Sequence, residues 1–284
     1  MTYKDPFHED SMLKNTFLVI AALGMLTTGC TLDDSLDSDT HESHTWGSYH
    51  WARTSNPFSL TLGDNLTSTW DPYLVDARDD WNDSSVLSTS IVNGGTKPRR
   101  CSAQAGKVEV CNTTYGNTGW LGIAGISIDG SGHITKGYVK LNDTYFNTAS
   151  YNTPEWRRLV TCQEVGHVFG LGHQDENFDN NNLNTCMDYT NSPASNQHPN
   201  NHDYNLLDSI YSHLDSYDTA GFSNGSTMEL YSDESDWGEL VETSKDGVKE
   251  TYMKALPDGE TLVTDVFWAP DAHRDPGAES GHTH

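Results

Sequence analysis

One stretch, Gln163-Glu-Val-Gly-His-Val-Phe-Gly-Leu-Gly-His173, constrains this chain more than any other part of it. On a helix, residues 163 and 167 lie one turn apart on one face, so both side chains reach a common point, with Glu164 projecting beside it. Gly170 permits a left-handed exit from the helix, which swings His173 back toward the same point. Two imidazoles and a third donor around one point, with a carboxylate alongside, match a zinc centre that keeps a fourth position open for water. In such a centre Glu164 is the general base for that water. Gln163 departs from this chemistry, because an amide oxygen is a weaker zinc ligand than an imidazole nitrogen. Three readings stay open: Gln163 ligates through its oxygen, another group replaces it, or the site is degenerate. His198 and His202 are the nearest spare histidines, with a polar loop and helix start as their plain reading.

Glu164, His167, Gly170 and His173 keep the offsets of H-E-x-x-H-x-x-G-x-x-H, and Cys186-Met-Asp-Tyr189 follows downstream. The pattern resembles the metzincin clan of zinc endopeptidases. The resemblance implies that Met187 is the methionine of a tight turn beneath the metal. It also implies that Tyr189 ligates zinc and then stabilises the oxyanion. Its specific residues lie within 163–189, and the domain it implies covers residues 46–216. The fold expected is α+β: a mixed twisted sheet, an active-site helix and a C-terminal helix, followed by a small β-rich extension over 217–284. By the resemblance, Trp120-Leu-Gly-Ile-Ala124 is the sheet edge that binds substrate backbone as an added strand. An ordinary core strand is the alternative.

The N-terminal region reads as a leader. Lys14, the apolar run Phe17–Leu26 and the ending Gly29-Cys30 have the layout of a secretory signal peptide, with Met12 as a candidate start. The ending resembles a bacterial lipobox, which makes Cys30 the lipidated first residue of an exported surface lipoprotein; plain secretion is the alternative. Residues 31–45, rich in Asp, Ser, Thr and His, read as a polar tether. What remains, about 240 residues, suffices for one sizeable domain with an appendage.

The formal net charge of −25 argues against nucleic acid or an acidic membrane as partner. Membrane attachment is expected only through the lipid, with a protein or peptide substrate and a monomeric chain. Beyond Cys30, an even number of cysteines (Cys101, Cys111, Cys162 and Cys186) reads as two disulfides in an exported protein. Three connectivities are open, and the local one, 101 with 111 and 162 with 186, is the most natural. Asp175-Glu-Asn-Phe-Asp179-Asn-Asn181 alternates oxygen side chains as a calcium (Ca2+) loop does, but lacks the glycine and closing glutamate of an EF-hand.

Apolar periodicity predicts a helix from Asp71 to Trp81 and strands at 49–53, 58–62, 86–92, 107–111, 122–128 and 134–141. Thr153-Pro154 caps the active helix, expected over 154–169, and Asp203 is expected to cap a last helix through Asp215. Gly247–Ala255 and Glu260–Trp268 flank Leu256-Pro-Asp-Gly259 as a hairpin of no assigned role, with a disordered tail behind it. The function expected is zinc-dependent peptide hydrolysis. The alternative is a catalytically impaired relative that acts as a surface peptide-binding or interaction lipoprotein.

Overall fold

The computed structural model describes residues 44–178, 180–221, 227–228, 236–244, 247 and 249–270. The leader, Cys30, most of the tether and the C-terminal tail lie outside the described residues. Among those described, no helix is long and apolar enough to cross a membrane.

The fold is α+β. The strands are β1 (His50–Trp51), β2 (Phe58–Asn65), β3 (Leu87–Asn93), β4 (Ala103–Gln104), β5 (Lys107–Thr113), β6 (Trp120–Ile128), β7 (His133–Asn142), β8 (Thr227–Met228), β9 (Glu239–Thr243), β10 (Lys249–Ala255) and β11 (Thr261–Trp268). The helices are α1 (Asp71–Trp81), α2 (Asp143–Phe146), α3 (Pro154–His167) and α4 (Asn201–Ile210). One sheet runs β3-β2-β5-β7-β6-β11-β10-β9, with β1 attached to the start of β7 and β4 pairing β8 apart from it. The β3, β2, β5 and β7 pairings are parallel. From β7 through β6, β11, β10 and β9 they are antiparallel.

Local chemistry explains most element boundaries. Pro154 occupies the first turn of α3, where its missing N–H costs nothing, and the Thr153 side chain accepts a hydrogen bond from the Trp156 amide. Eleven buried residues of α3 show that the helix lies within the core, and α1 packs against it through Leu74, Ala77 and Trp81. The Trp81 indole donates to the Cys162 carbonyl at 3.1 Å, fixing one helix on the other. For α4 the predicted cap shifts: Asn200 is the N-cap, and Asp203 closes a capping box from the third helical position. The helix ends at Ile210 rather than Asp215.

Two further expectations are corrected. The tether does not extend to residue 45, because Thr45 bridges Leu171 and the Gly172 amide donates to the His44 carbonyl at 2.7 Å. Residues 44–45 are therefore fastened to the motif itself. Residues 239–268 are no separate appendage, because β9, β10 and β11 continue the central sheet. The hairpin is where the sequence placed it, but β11 pairs along β6 from Thr261↔Ile128 to Trp268↔Trp120. β6 is thus flanked by β7 and β11, and every residue in it is buried. The Trp120–Ala124 stretch is a core strand and not a free edge. An uninterrupted apolar run buried on both faces is what such a position requires.

Candidate metal centre

Helix α3 delivers Gln163, Glu164 and His167, and its exit delivers His173. Gly170 sits at φ +95°, and a side chain there would meet the Tyr49 carbonyl at 2.1 Å, so only glycine allows this turn. Three hydrogen bonds pin the exit: the Trp46 amide to the Gly170 carbonyl at 2.8 Å, the Trp51 indole to the Val168 carbonyl at 2.9 Å, and the Tyr211 hydroxyl to the Phe169 carbonyl at 2.9 Å. The turn brings the Nε2 atoms of His167 and His173 to 2.9 Å from each other.

The third member of the cluster comes from β11. His167, His173 and Asp265 each present a ligand atom, all within 4.8 Å of one another, and all three residues are buried. Asp265 lies opposite Ala124 in the β6–β11 register, with Phe267 opposite Gly122 two residues further along. In the β11 alternation it shares a face with Val263 and Phe267, which belong to the core on the α3 side. Leu262, Val266 and Trp268 belong to the core on the other side. Asp265 does not stand out in the sequence. Its signal was a lone carboxylate in the apolar run Leu262–Trp268, on the side facing the core.

The imidazoles are oriented for ligation. His167 Nδ1 is 2.8 Å from the Leu171 carbonyl, which can only accept, so the neutral ring holds its lone pair on Nε2. Burial, and next the neighbouring His173, lower the His167 pKa to about 3, which keeps that lone pair available. His173 Nδ1 faces Glu176 at 3.7 Å, and His44 Nδ1 donates to the His173 carbonyl at 2.8 Å. Lys249 of β10 approaches the half-buried Glu176 at 3.1 Å and the buried Asp265 at 4.0 Å, giving both carboxylates a cation. Burial would raise the Glu176 pKa, but His173 and Lys249 hold it down at about 2.

Glu164 is 1% exposed, and neither carboxylate oxygen has a hydrogen-bond partner within the protein. Burial, and then the nearby Asp265, push its pKa well above the usual carboxylate value. It lies against β6 at Gly122, where a Cβ would come within 2.5 Å of Oε1, so the glycine makes room for the carboxylate. An orphaned buried carboxylate, a second carboxylate and two imidazoles whose Nε2 atoms converge are a donor set that fits a divalent cation with nitrogen and oxygen preferences.

Gln163 is 0% exposed and donates through Nε2 to the Cys186 carbonyl at 2.9 Å, while its Oε1 has no hydrogen-bond partner within the protein. The Cys162–Cys186 disulfide brackets this contact, and Cys101–Cys111 is the other pair. Met187 packs beneath α3, its Sδ standing 2.7 Å from where a Cβ on Gly166 would lie. The Tyr189 ring stacks on His173 at 4.3 Å and on Phe178 at 5.0 Å, with Phe267 of β11 at 4.7 Å. His198 pairs with Asp80 at 2.7 Å, and His202 lies edge-on to His44 with ring centroids 5.1 Å apart; neither belongs to the cluster. Of the calcium candidates, Asp175 accepts from the Asn177 amide at 2.6 Å as an ordinary turn, and Asp179 lies outside the described residues. Compared with protein-family models and with curated proteins, this sequence matches none.

Proposed function

We propose that this chain is a zinc-dependent endopeptidase of metzincin type whose metal is held by His167, His173 and Asp265. The observation that carries the reading is the convergence of Asp265 on the two motif histidines, within 4.8 Å. Two histidines with one carboxylate are a known ligand combination for catalytic zinc. Asp265 thereby takes the place that the spacing assigns to residue 163, and the Gln163 amide serves to hold α3 on the Met187 turn. Zinc bound there would supply Lewis acidity toward a carbonyl oxygen and acidify a water.

The remaining roles fall to side chains of this chain. Glu164, beside the cluster and without another partner, accepts the proton of the attacking water and passes it to the leaving amine. Tyr189 steadies the oxygen that gains charge, from its place against His173. Phe178 and Phe267 keep bulk water away from the centre. The pairing of cysteines fits the exported location that the leader and Cys30 suggest.

A second reading, a closed non-catalytic binding protein, is favoured by one observation: β11 occupies the side of β6 along which a substrate strand would otherwise lie. One experiment separates the two. Full-length protein purified without chelator is assayed for zinc and for cleavage of a peptide library, together with Glu164→Gln, Asp265→Ala and Gln163→Ala. The proposal expects one zinc equivalent that is lost in Asp265→Ala and kept in Gln163→Ala, and cleavage lost in Glu164→Gln with that equivalent retained. A zinc equivalent that depends on Asp265, without cleavage, selects the binding protein. The same number of zinc equivalents in Asp265→Ala as in wild type refutes the ligand assignment.

A further inference from the structure

A second group of side chains lies outside this centre, where β1, the β6–β7 turn and the segment after α4 meet. We infer that His50, His133, His213 and Asp215 form a distinct zinc site, structural in role. His50, His133 and Asp215 present ligand atoms within 4.8 Å of one another. His213 Nε2, outside that group of three, stands 3.2 Å from His50 Nε2 and 3.6 Å from Asp215 Oδ1 and is the candidate fourth ligand. His133 Nε2 stands 3.5 Å from Asp215 Oδ1, and His50 Nε2 stands 3.7 Å from Asp215 Oδ2. Ligand atoms around a tetrahedral zinc, with bonds of about 2.0–2.1 Å, are separated by about 3.4 Å. Three of these separations, 3.2, 3.5 and 3.6 Å, are close to the edges of such a tetrahedron.

The orientation of the rings is the independent observation. His50 Nδ1 is 2.9 Å from the Ser48 carbonyl, which can only accept, so the neutral ring has its lone pair on Nε2. His133 Nδ1 is 2.6 Å from the Tyr217 hydroxyl, which donates onward to Asp129 at 3.1 Å and therefore accepts from His133. That fixes the His133 lone pair on Nε2 as well, facing a carboxylate oxygen. A neutral ring's lone pair directed at Asp215 Oδ1 across 3.5 Å is repulsive, and a metal cation between the two relieves that repulsion. Imidazoles anchored through Nδ1, with their Nε2 lone pairs converging, are what a metal-binding histidine cluster needs.

Asp215 is held for the role. Its Oδ2 accepts from the Arg53 guanidinium at 2.9 Å and from the Arg53 amide at 3.1 Å, leaving Oδ1 turned toward His133 and His213. The same guanidinium donates to the His213 carbonyl, fixing the backbone that carries the fourth ligand. Access is available, because His50 and His213 line an open cleft of ≈ 580 Å³ and the His213 side chain is 52% exposed. Three imidazoles and one carboxylate select zinc over calcium or magnesium, which require oxygen ligands. No substrate position remains when all four ligands bind, so the site fastens structure. It clamps β1, which precedes the sheet, to the chain that leaves α4.

The test is a zinc titration of the full chain against a chromophoric chelator, with Co2+ absorption as a report of tetrahedral geometry. Wild type, His133→Ala, His213→Asn and His167→Ala/His173→Ala are compared. The inference expects a zinc equivalent that survives in His167→Ala/His173→Ala and is lost in His133→Ala. In His213→Asn the affinity should fall by more than the roughly 10–100-fold that loss of a ligand-orienting group costs. Zinc should also raise the melting temperature of His167→Ala/His173→Ala, and not of the variant that carries His133→Ala in addition. If the first centre binds no metal, the wild type still takes up one equivalent that depends on His133. The inference is overturned if His133→Ala and His213→Asn, folded by circular dichroism, bind zinc as the wild type does, or if His167→Ala/His173→Ala binds none.

Discussion

Replacing Gly170 with alanine tests the turn that brings His173 to His167. Gly170 sits at φ +95°, and an added Cβ would stand 2.1 Å from the Tyr49 carbonyl oxygen. The left-handed conformation alone costs an L-residue about 1–2 kcal/mol. The collision is with main chain that neighbours β1, so no rotamer change relieves it, and the strained backbone adds about 1–3 kcal/mol. A total near 3 kcal/mol lowers the melting temperature of a domain this size by about 6–12 °C. Gly116→Ala is the control: its φ is +105° but nothing lies within 4 Å of the new Cβ, so it should lose only the conformational part. Urea denaturation measures both losses, and zinc titration below the transition measures the site. The expected result is a loss in Gly170→Ala clearly above that in Gly116→Ala, with weakened zinc binding in Gly170→Ala alone. Equal losses in the two variants, or unchanged zinc affinity in Gly170→Ala, would refute the claim that this turn sets the histidine geometry.

Two further outcomes follow from the same packing. The Cys162–Cys186 bridge closes a loop of sequence separation 24, so removing it with Cys162→Ala/Cys186→Ala should cost about 3–4 kcal/mol by the chain-entropy relation and loosen zinc binding. Urea denaturation of oxidised wild type against that variant checks it. Lys140 lies buried on β7 over the faces of Tyr138 and Tyr115, and desolvation lowers its pKa to about 7 despite the nearby Asp236. Between about pH 7 and the ordinary lysine value the unfolded chain holds a proton that the folded chain has released, so wild-type stability should rise with pH. The slope from this residue is at most about 1.4 kcal/mol per pH unit, and Lys140→Met should lack it. Parallel stability curves for the two proteins between about pH 7 and 9 would count against that environment for the ammonium.

What was legible in the sequence was local. The α1 boundaries, the Thr153-Pro154 start of α3, the β10–β11 hairpin and both cysteine pairs follow from caps, periodicity and short separations, and each stands where those signals put it. The glycine requirement at residue 170 was equally local. Pairing between distant strands was not legible. Alternation shows that Glu260–Trp268 forms a strand but not which neighbour it meets, and a one-residue shift of register would turn Asp265 away from α3. The role given to Trp120–Ala124 failed for the same reason. Its run of apolar residues fitted a covered strand, and the strand that covers it lies far along the chain. His50, His133 and Asp215 are likewise scattered, and only the attachment of β1 to β7, which sets His50 opposite His133, reveals them.

The same dispersal governs how the centre forms. His167 and His173 belong to one continuous turn and can be positioned once α3 and its exit are packed. Asp265 reaches them only after β11 has docked along β6, so the donor set is complete only when the last strands of the sheet are in place. Under the proposed ligand set, the donor that the motif's spacing puts at residue 163 is exchanged for a carboxylate from β11, one supplied by tertiary structure. The exchange also adds a buried negative charge next to Glu164, which Lys249 on the adjacent β10 partly offsets at 4.0 Å from Asp265. Cation and carboxylate arrive on the two strands of one hairpin, so the hairpin that introduces the charge also brings its partner. A metal bound to His167, His173 and Asp265 would favour the docked hairpin over the undocked one by its affinity for the complete set, which couples metal binding to closure of the sheet.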